Sequence, residues 1–101
     1  MSFVEIHPDV LAGAASQLGA IGASMNAQST AAAGPTTAVV PAAADQVSAL
    51  IAAQFAMHAR MYQSVSAQAT AVHEMLVKTL AANANSYAVT EAVNAAATGW
   101  E

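Results

Sequence analysis

Three histidines, a tyrosine–glutamate pair and a scatter of carboxylates are the groups in this sequence equipped for chemistry. His7, His58 and His73 show no HExxH or other metal-ligand spacing, and the absence of cysteine removes thiolate zinc sites, disulfides and a cysteine nucleophile. No metal is assigned. No serine falls in a GxSxG elbow or beside a histidine in a recognisable motif, and there is no glycine-rich phosphate loop. Glu5, Asp9, Asp45, Glu74, Glu91 and Glu101 include no pair placed to share a site. The sequence therefore offers no catalytic residue and requires no cofactor. His58 has two readings: a packed histidine with one hydrogen-bond partner, which is the commoner case, or a ligand or pH-responsive group.

Tyr87 and Glu91 differ from the rest because of their spacing. In Tyr87-Ala88-Val89-Thr90-Glu91, a separation of four puts a ring and a carboxylate on adjacent turns of one helix face, where a receptor can read both. The plain alternative is that Tyr87 extends an apolar stripe and Glu91 is solvated.

Charge narrows the choice of partner. Only Arg60 and Lys78 are basic, for a formal net charge of -4, so neither nucleic acid nor an anionic lipid surface is expected to bind. The uncharged run over residues 10–44 is interrupted by Ser16, Gln17, Ser24, Asn26, Gln28, Ser29 and Thr30, and no stable membrane span is expected. The start MSFVEIHPD is acidic where a secretory signal requires positive charge, so any export is expected to use another route.

The elements that must position these groups are helical. Hydrophobic residues make up 56% of the chain but aromatics only 5%; most of the apolar content is alanine, which favours helix without burying much surface. A first helix over about residues 8–33 starts at Pro8 and Asp9, which suit the first turn and the positive end of the dipole. Its stripe is Leu11, Ala14, Leu18, Ile21, Met25 and Ala32, and its glycines leave room for another backbone to approach. Gly34 and Pro35 are expected to end it, with a linker over about 34–44. Asp45 is placed to cap a second helix of about residues 45–95, followed by a short tail.

That second helix carries the strongest periodicity: Val47, Ile51, Phe55, His58, Tyr62, Val65, Ala69, Val72, Leu76 and Leu80 gather within about a third of its circumference, with Arg60, Glu74 and Lys78 opposite. Two helices of unequal length bury one seam and leave much of this stripe uncovered. The chain of 101 residues is thus read as a single all-α domain, an antiparallel two-helix hairpin that completes a four-helix bundle with a partner hairpin. The expected interface is Leu11, Leu18, Ile21 and Met25 on the first helix and Val47, Ile51, Phe55, Tyr62, Val65, Val72, Leu76 and Leu80 on the second. A self-associating structural bundle, or an envelope-permeability component, would use the same faces.

The opening MSFV, the Pro8-Asp9 helix start, the segment GPTTAVVPAAADQVSAL over residues 34–50 and the Tyr87-to-Glu91 spacing together resemble the mycobacterial PE family across essentially the whole chain. Asp9 stands where the family name expects glutamate, keeping the negative charge, and Ala42 stands where a second consecutive proline is common. The resemblance implies a PE-like domain that heterodimerises with a PPE protein. It also implies export by a type VII (ESX) secretion system, with any export chaperone contacting the PPE subunit and a destination outside the cytoplasm or at the cell envelope. In that setting Tyr87 and Glu91 match the family's Tyr-x-x-x-Asp/Glu export motif, and Pro8-Asp9 the N-terminal motif.

Overall fold

The computed structural model describes residues 6–99, so the MSFV opening and Trp100 lie outside the described residues. Two α-helices make up the fold: α1, Pro8–Thr37, and α2, Gln46–Thr98; there is no strand among the described residues. The chain divides into two compact units, one of residues 22–72 and one that joins the residues up to Ile21 with those from His73 onward.

Helix α1 starts where its first turn has least to lose. Pro8 has no N–H to leave unsatisfied, Asp9 adds negative charge to the first turn, and the His7 carbonyl accepts from the Leu11 N–H at 3.1 Å. The helix does not stop at Gly34 and Pro35, as expected above, but runs on to Thr37. Pro35 takes one donor from the ladder, and two threonines stitch the turn that follows. The hydroxyls of Thr36 and Thr37 donate to the Ala32 and Ala33 carbonyls, each at 2.6 Å, and the Ala38 N–H reaches the Gly34 carbonyl at 3.1 Å.

Residues 38–45 reverse the chain, and Asp45 caps α2 as its position implied. One carboxylate oxygen accepts from the Ser48 N–H at 2.8 Å and the other from the Ser48 hydroxyl at 3.0 Å. The Ser48 N–H first, and its hydroxyl second, hold the Asp45 carboxyl below its ordinary pKa. From there α2 has no proline or glycine to interrupt it over 53 residues. It ends at Gly99, whose φ of 73° is the left-handed stop that glycine adopts without a side-chain clash. The helix thus runs slightly past the expected residue 95.

The packing seam is made of small residues. The buried apolar residues are Ala15, Ala52, Ala56, Ala59 and Ala84, and no large side chain is fully buried among the described residues. In the unit of residues 22–72 the helices run antiparallel through the turn, and Ser29 meets both Ser66 and Gln63 across the seam. In the other unit His73 meets the Leu18 carbonyl, and a Cβ added at Gly19 would rest 3.7 Å from Val77. The space left by Gly13 and Gly34 is not used for close packing: a Cβ at either would meet nothing within 4 Å.

Candidate functional site

Between Ala52 and Ala84 the buried and half-buried positions of α2 repeat with a strict rhythm. Ala52, Ala56, Ala59, Gln63, Ser66, Thr70, His73, Val77, Leu80 and Ala84 alternate steps of four and three, the 3.5-residue period of a coiled-coil seam. On α1, Leu11, Ala15, Leu18, Gly22, Ser29 and Ala32 keep the same phase, in which Met25 also falls although it is exposed.

Now step back one residue from each seam position, a rotation of about 100° around the helix. On α2 this gives Ile51, Phe55, His58, Tyr62, Val65, Ala69, Val72 and Leu76 and then the polar Thr79 and Asn83, all exposed, with Phe55 61%, Tyr62 59% and Val72 66% accessible. On α1 the same step gives Val10 and Ile21, both large, apolar and exposed by more than half, among Ala14, Gln17, Ser24, Gln28 and Ala31; Met25, 67% exposed, lies at a seam-phase position. One residue forward from the seam, α2 instead presents Arg60, Glu74 and Lys78 among Ala53, Ser64, Ala67, Ala71, Ala81 and Asn85, with Met57, 52% exposed, as its large apolar member. The lateral faces of α2 therefore differ in character, one largely apolar and one mostly charged or small.

In an antiparallel pair the residues one step before each seam fall on the same side, because reversing the chain also reverses the direction of rotation. In the unit of residues 22–72, Ser24 and Gln28 thus share a side with Ile51, Phe55, Tyr62 and Val65. Such an arrangement, a seam on one face and a second apolar face about 90–100° away, is what a helix needs to touch two neighbours in a bundle. Near the start of α2, Val47, Leu50, Ile51, Gln54, Phe55 and His58 line an open apolar depression.

The residues singled out from sequence divide between these faces. Leu11, Leu18 and Leu80 are half-buried in the seam of their own chain, while Ile21, Met25, Val47, Ile51, Phe55, Tyr62, Val65, Val72 and Leu76 are exposed. His58 is exposed, so within this chain it is not a packed histidine with a protein partner. That role falls to His73, which is half-buried with its Nε2 2.6 Å from the Leu18 carbonyl oxygen. The signal for this position in the sequence is the polar repeat of Gln63, Ser66, Thr70 and His73, masked by the larger apolar residues one place earlier. Tyr87 and Glu91 are both exposed, and their spacing continues the seam phase, not the apolar stripe, beyond Ala84, the last buried seam residue. Pro8 and Asp9 form the first turn of α1.

Among the described residues no group of three or more His, Cys, Asp or Glu could hold a metal ion, and no helix is long and apolar enough to cross a membrane.

A model of the PE family matches residues 4–94. The chain is 62% identical over 97 residues to PE family protein PE13 of Mycobacterium tuberculosis (strain ATCC 25618 / H37Rv), a match covering 96% of this chain and 98% of that protein. PE family protein PE8 of the same strain is 55% identical over 97 residues, 96% of this chain but 35% of PE8. PE-PGRS family protein PE_PGRS11, also of that strain, is 58% identical over 91 residues, 90% of this chain and 16% of its own length. The chain thus spans nearly all of one of these relatives and a minor part of the other two. With the family model covering most of the sequence and such identities over almost its full length, this chain belongs to the PE family.

Proposed function

We propose that the chain is a non-enzymatic interaction module, a single PE-like domain that heterodimerises with a PPE protein and leaves the cytoplasm through a type VII (ESX) secretion system. The observation that carries this reading is the one-sided apolar stripe. Burying a Val, Leu, Ile or Phe side chain contributes about 1.5–3 kcal/mol, against roughly 0.8 kcal/mol for a methyl-sized increment, so the exposed face has more to gain than the alanine seam already closed. A partner hairpin laid on that side would complete a four-helix bundle, with Ile21, Met25, Val47, Ile51, Phe55, Tyr62, Val65, Val72 and Leu76 as the contact and Leu11, Leu18 and Leu80 supporting it from the seam. The Pro8-Asp9 start serves to open α1 in this module.

Tyr87 and Glu91 act in this reading as the export signal. Their exposure on one helix face past the last buried seam residue leaves both side chains accessible to the secretion machinery while the bundle is closed. An export chaperone would contact the PPE subunit, and the destination is the cell surface, the envelope or the medium.

Co-expression with candidate PPE proteins from the native genome tests the pairing: a soluble one-to-one complex is expected. A chain that stays helical and monomeric alone and binds no PPE protein contradicts it, and a stable homodimer or homotetramer by light scattering favours a self-associating bundle instead. For the signal, Tyr87→Ala or Glu91→Ala is expected to stop export while the dimer persists; unimpaired secretion of both variants removes that assignment.

A further inference from the structure

Two faces of α2 compete for α1. Ile51, Phe55, Tyr62, Val65, Val72 and Leu76 share the three-four spacing of the seam, and nearly all are larger and more apolar than the residue one place on. By burial alone, α2 would turn by about 100° and bring those side chains against α1. The structure closes on the small residues instead, and the directional contacts across that closure are polar. In the unit of residues 22–72, the Ser29 and Ser66 hydroxyl oxygens lie 3.1 Å apart and Gln63 Nε2 donates to the Ser29 carbonyl at 3.0 Å. In the other unit His73 Nε2 sits 2.6 Å from the Leu18 carbonyl oxygen. All four of Ser29, Gln63, Ser66 and His73 are half-buried, and these contacts exist only in the observed rotation. Polar groups at seam positions select one packing among near-equivalent ones because their geometry is directional, whereas apolar contact is not.

We propose that Gln63, Ser66 and His73, with Ser29 opposite, are positioning residues for partner binding: they hold the hairpin closed on its small-residue seam and so keep the apolar stripe outside. They do this without touching the partner. The affinity part of the proposal rests on the PPE reading above; the packing part does not.

The sequence has no cysteine, so engineered thiol pairs report packing without background. Ser29→Cys with Ser66→Cys reports the observed rotation, and Ser29→Cys with Val65→Cys, which puts the second thiol one step before the seam of α2, reports the turned one. In the purified chain the first pair is expected to oxidise to an intramolecular disulfide and the second not to; comparable yields from both pairs overturn the proposal. Replacing Gln63 and His73 together by alanine, which removes the polar contacts without adding large apolar side chains to the seam, is expected to move disulfide yield toward the second pair and to weaken binding of the PPE partner by at least about tenfold, the scale of one lost directional contact. Closing the Ser29→Cys/Ser66→Cys disulfide in that double variant is expected to restore the affinity. Unchanged yields and affinity in the alanine variant, or an affinity that stays low with the disulfide closed, overturn the proposal. If circular dichroism shows the alanine variant unfolded, Gln63→Ala alone is scored by the same outcomes. Failure of the unsubstituted chain to bind any PPE protein would count against the partner reading alone, since the disulfide yields are read on the free chain.

Discussion

The seam and the apolar stripe of α2 have the same periodicity, lie about 100° apart on one helix and differ in nearly every other respect. The seam is mostly alanine, serine, threonine, glutamine and histidine, with Val77 and Leu80 in its later half, and it is closed; the stripe is mostly isoleucine, phenylalanine, tyrosine, valine and leucine, with His58 and Ala69 among them, and it is open to solvent. The difference shows that which face of a helix is buried within a chain is not always the more hydrophobic one. Small residues let two backbones approach, and polar groups at intervals set the rotation. The large residues are then left for a contact that the chain cannot make with itself.

Charge placed on the stripe breaks the comparison most strongly. Phe55→Glu is expected to abolish partner binding, since a buried unpaired carboxylate costs several kcal/mol, with the helical circular dichroism of the free chain unchanged because Phe55 is 61% exposed there. The seam should respond to size in the opposite way. Ala56→Leu overfills a position only 8% exposed and is expected to cost roughly 1–3 kcal/mol in thermal unfolding, whereas Ala53→Leu, on an exposed position, is expected to be nearly neutral. Equal melting shifts for the two would show that the seam is not tightly closed.

A smaller gain is expected from Gly13→Ala. The added methyl meets nothing within 4 Å, so the change should stabilise α1 by about 0.5–1 kcal/mol through helix propensity, read as a higher melting temperature without loss of partner binding. The smallest effect is at the Asp45 cap. Its carboxyl is held below the ordinary aspartate pKa, so its stabilisation is fully present above that ordinary value and is lost as the pH falls through the lowered folded value. Asp45→Ala should therefore melt below the unsubstituted chain at neutral pH, and the two melting temperatures should converge in strong acid. A gap that persists undiminished in strong acid contradicts the cap.

Much of the helical framework was legible in the sequence because alanine content, the Pro8-Asp9 start and the Asp45 cap act locally. The apolar stripe from Val47 to Leu76 was legible too, as a period in large side chains. What the period could not disclose is the role of the weaker repeat one residue later, since alanine, serine and glutamine carry little hydrophobic signal and only contact with α1 reveals that they form the seam. For the same reason the sequence groups Leu11, Leu18 and Leu80 with the stripe although they lie half-buried in the seam, and of the two readings of His58 the commoner one, a packed histidine, describes His73 instead. The end of α1 was misplaced by three or four residues because Gly34 and Pro35 are breakers by propensity, and the threonine hydroxyls that carry the helix past them act through geometry that a residue count does not contain.

The assignment of the two lateral faces is tested most directly by thiol labelling, since the chain has no cysteine of its own. Val65→Cys probes the apolar stripe and Ala67→Cys the opposite lateral face, and both positions are exposed in the structure. In the free chain both thiols should react with maleimide at similar rates. In the co-purified complex, the Val65→Cys thiol should be strongly protected while the Ala67→Cys thiol still reacts; protection of the second, or equal reactivity of both, would contradict the account.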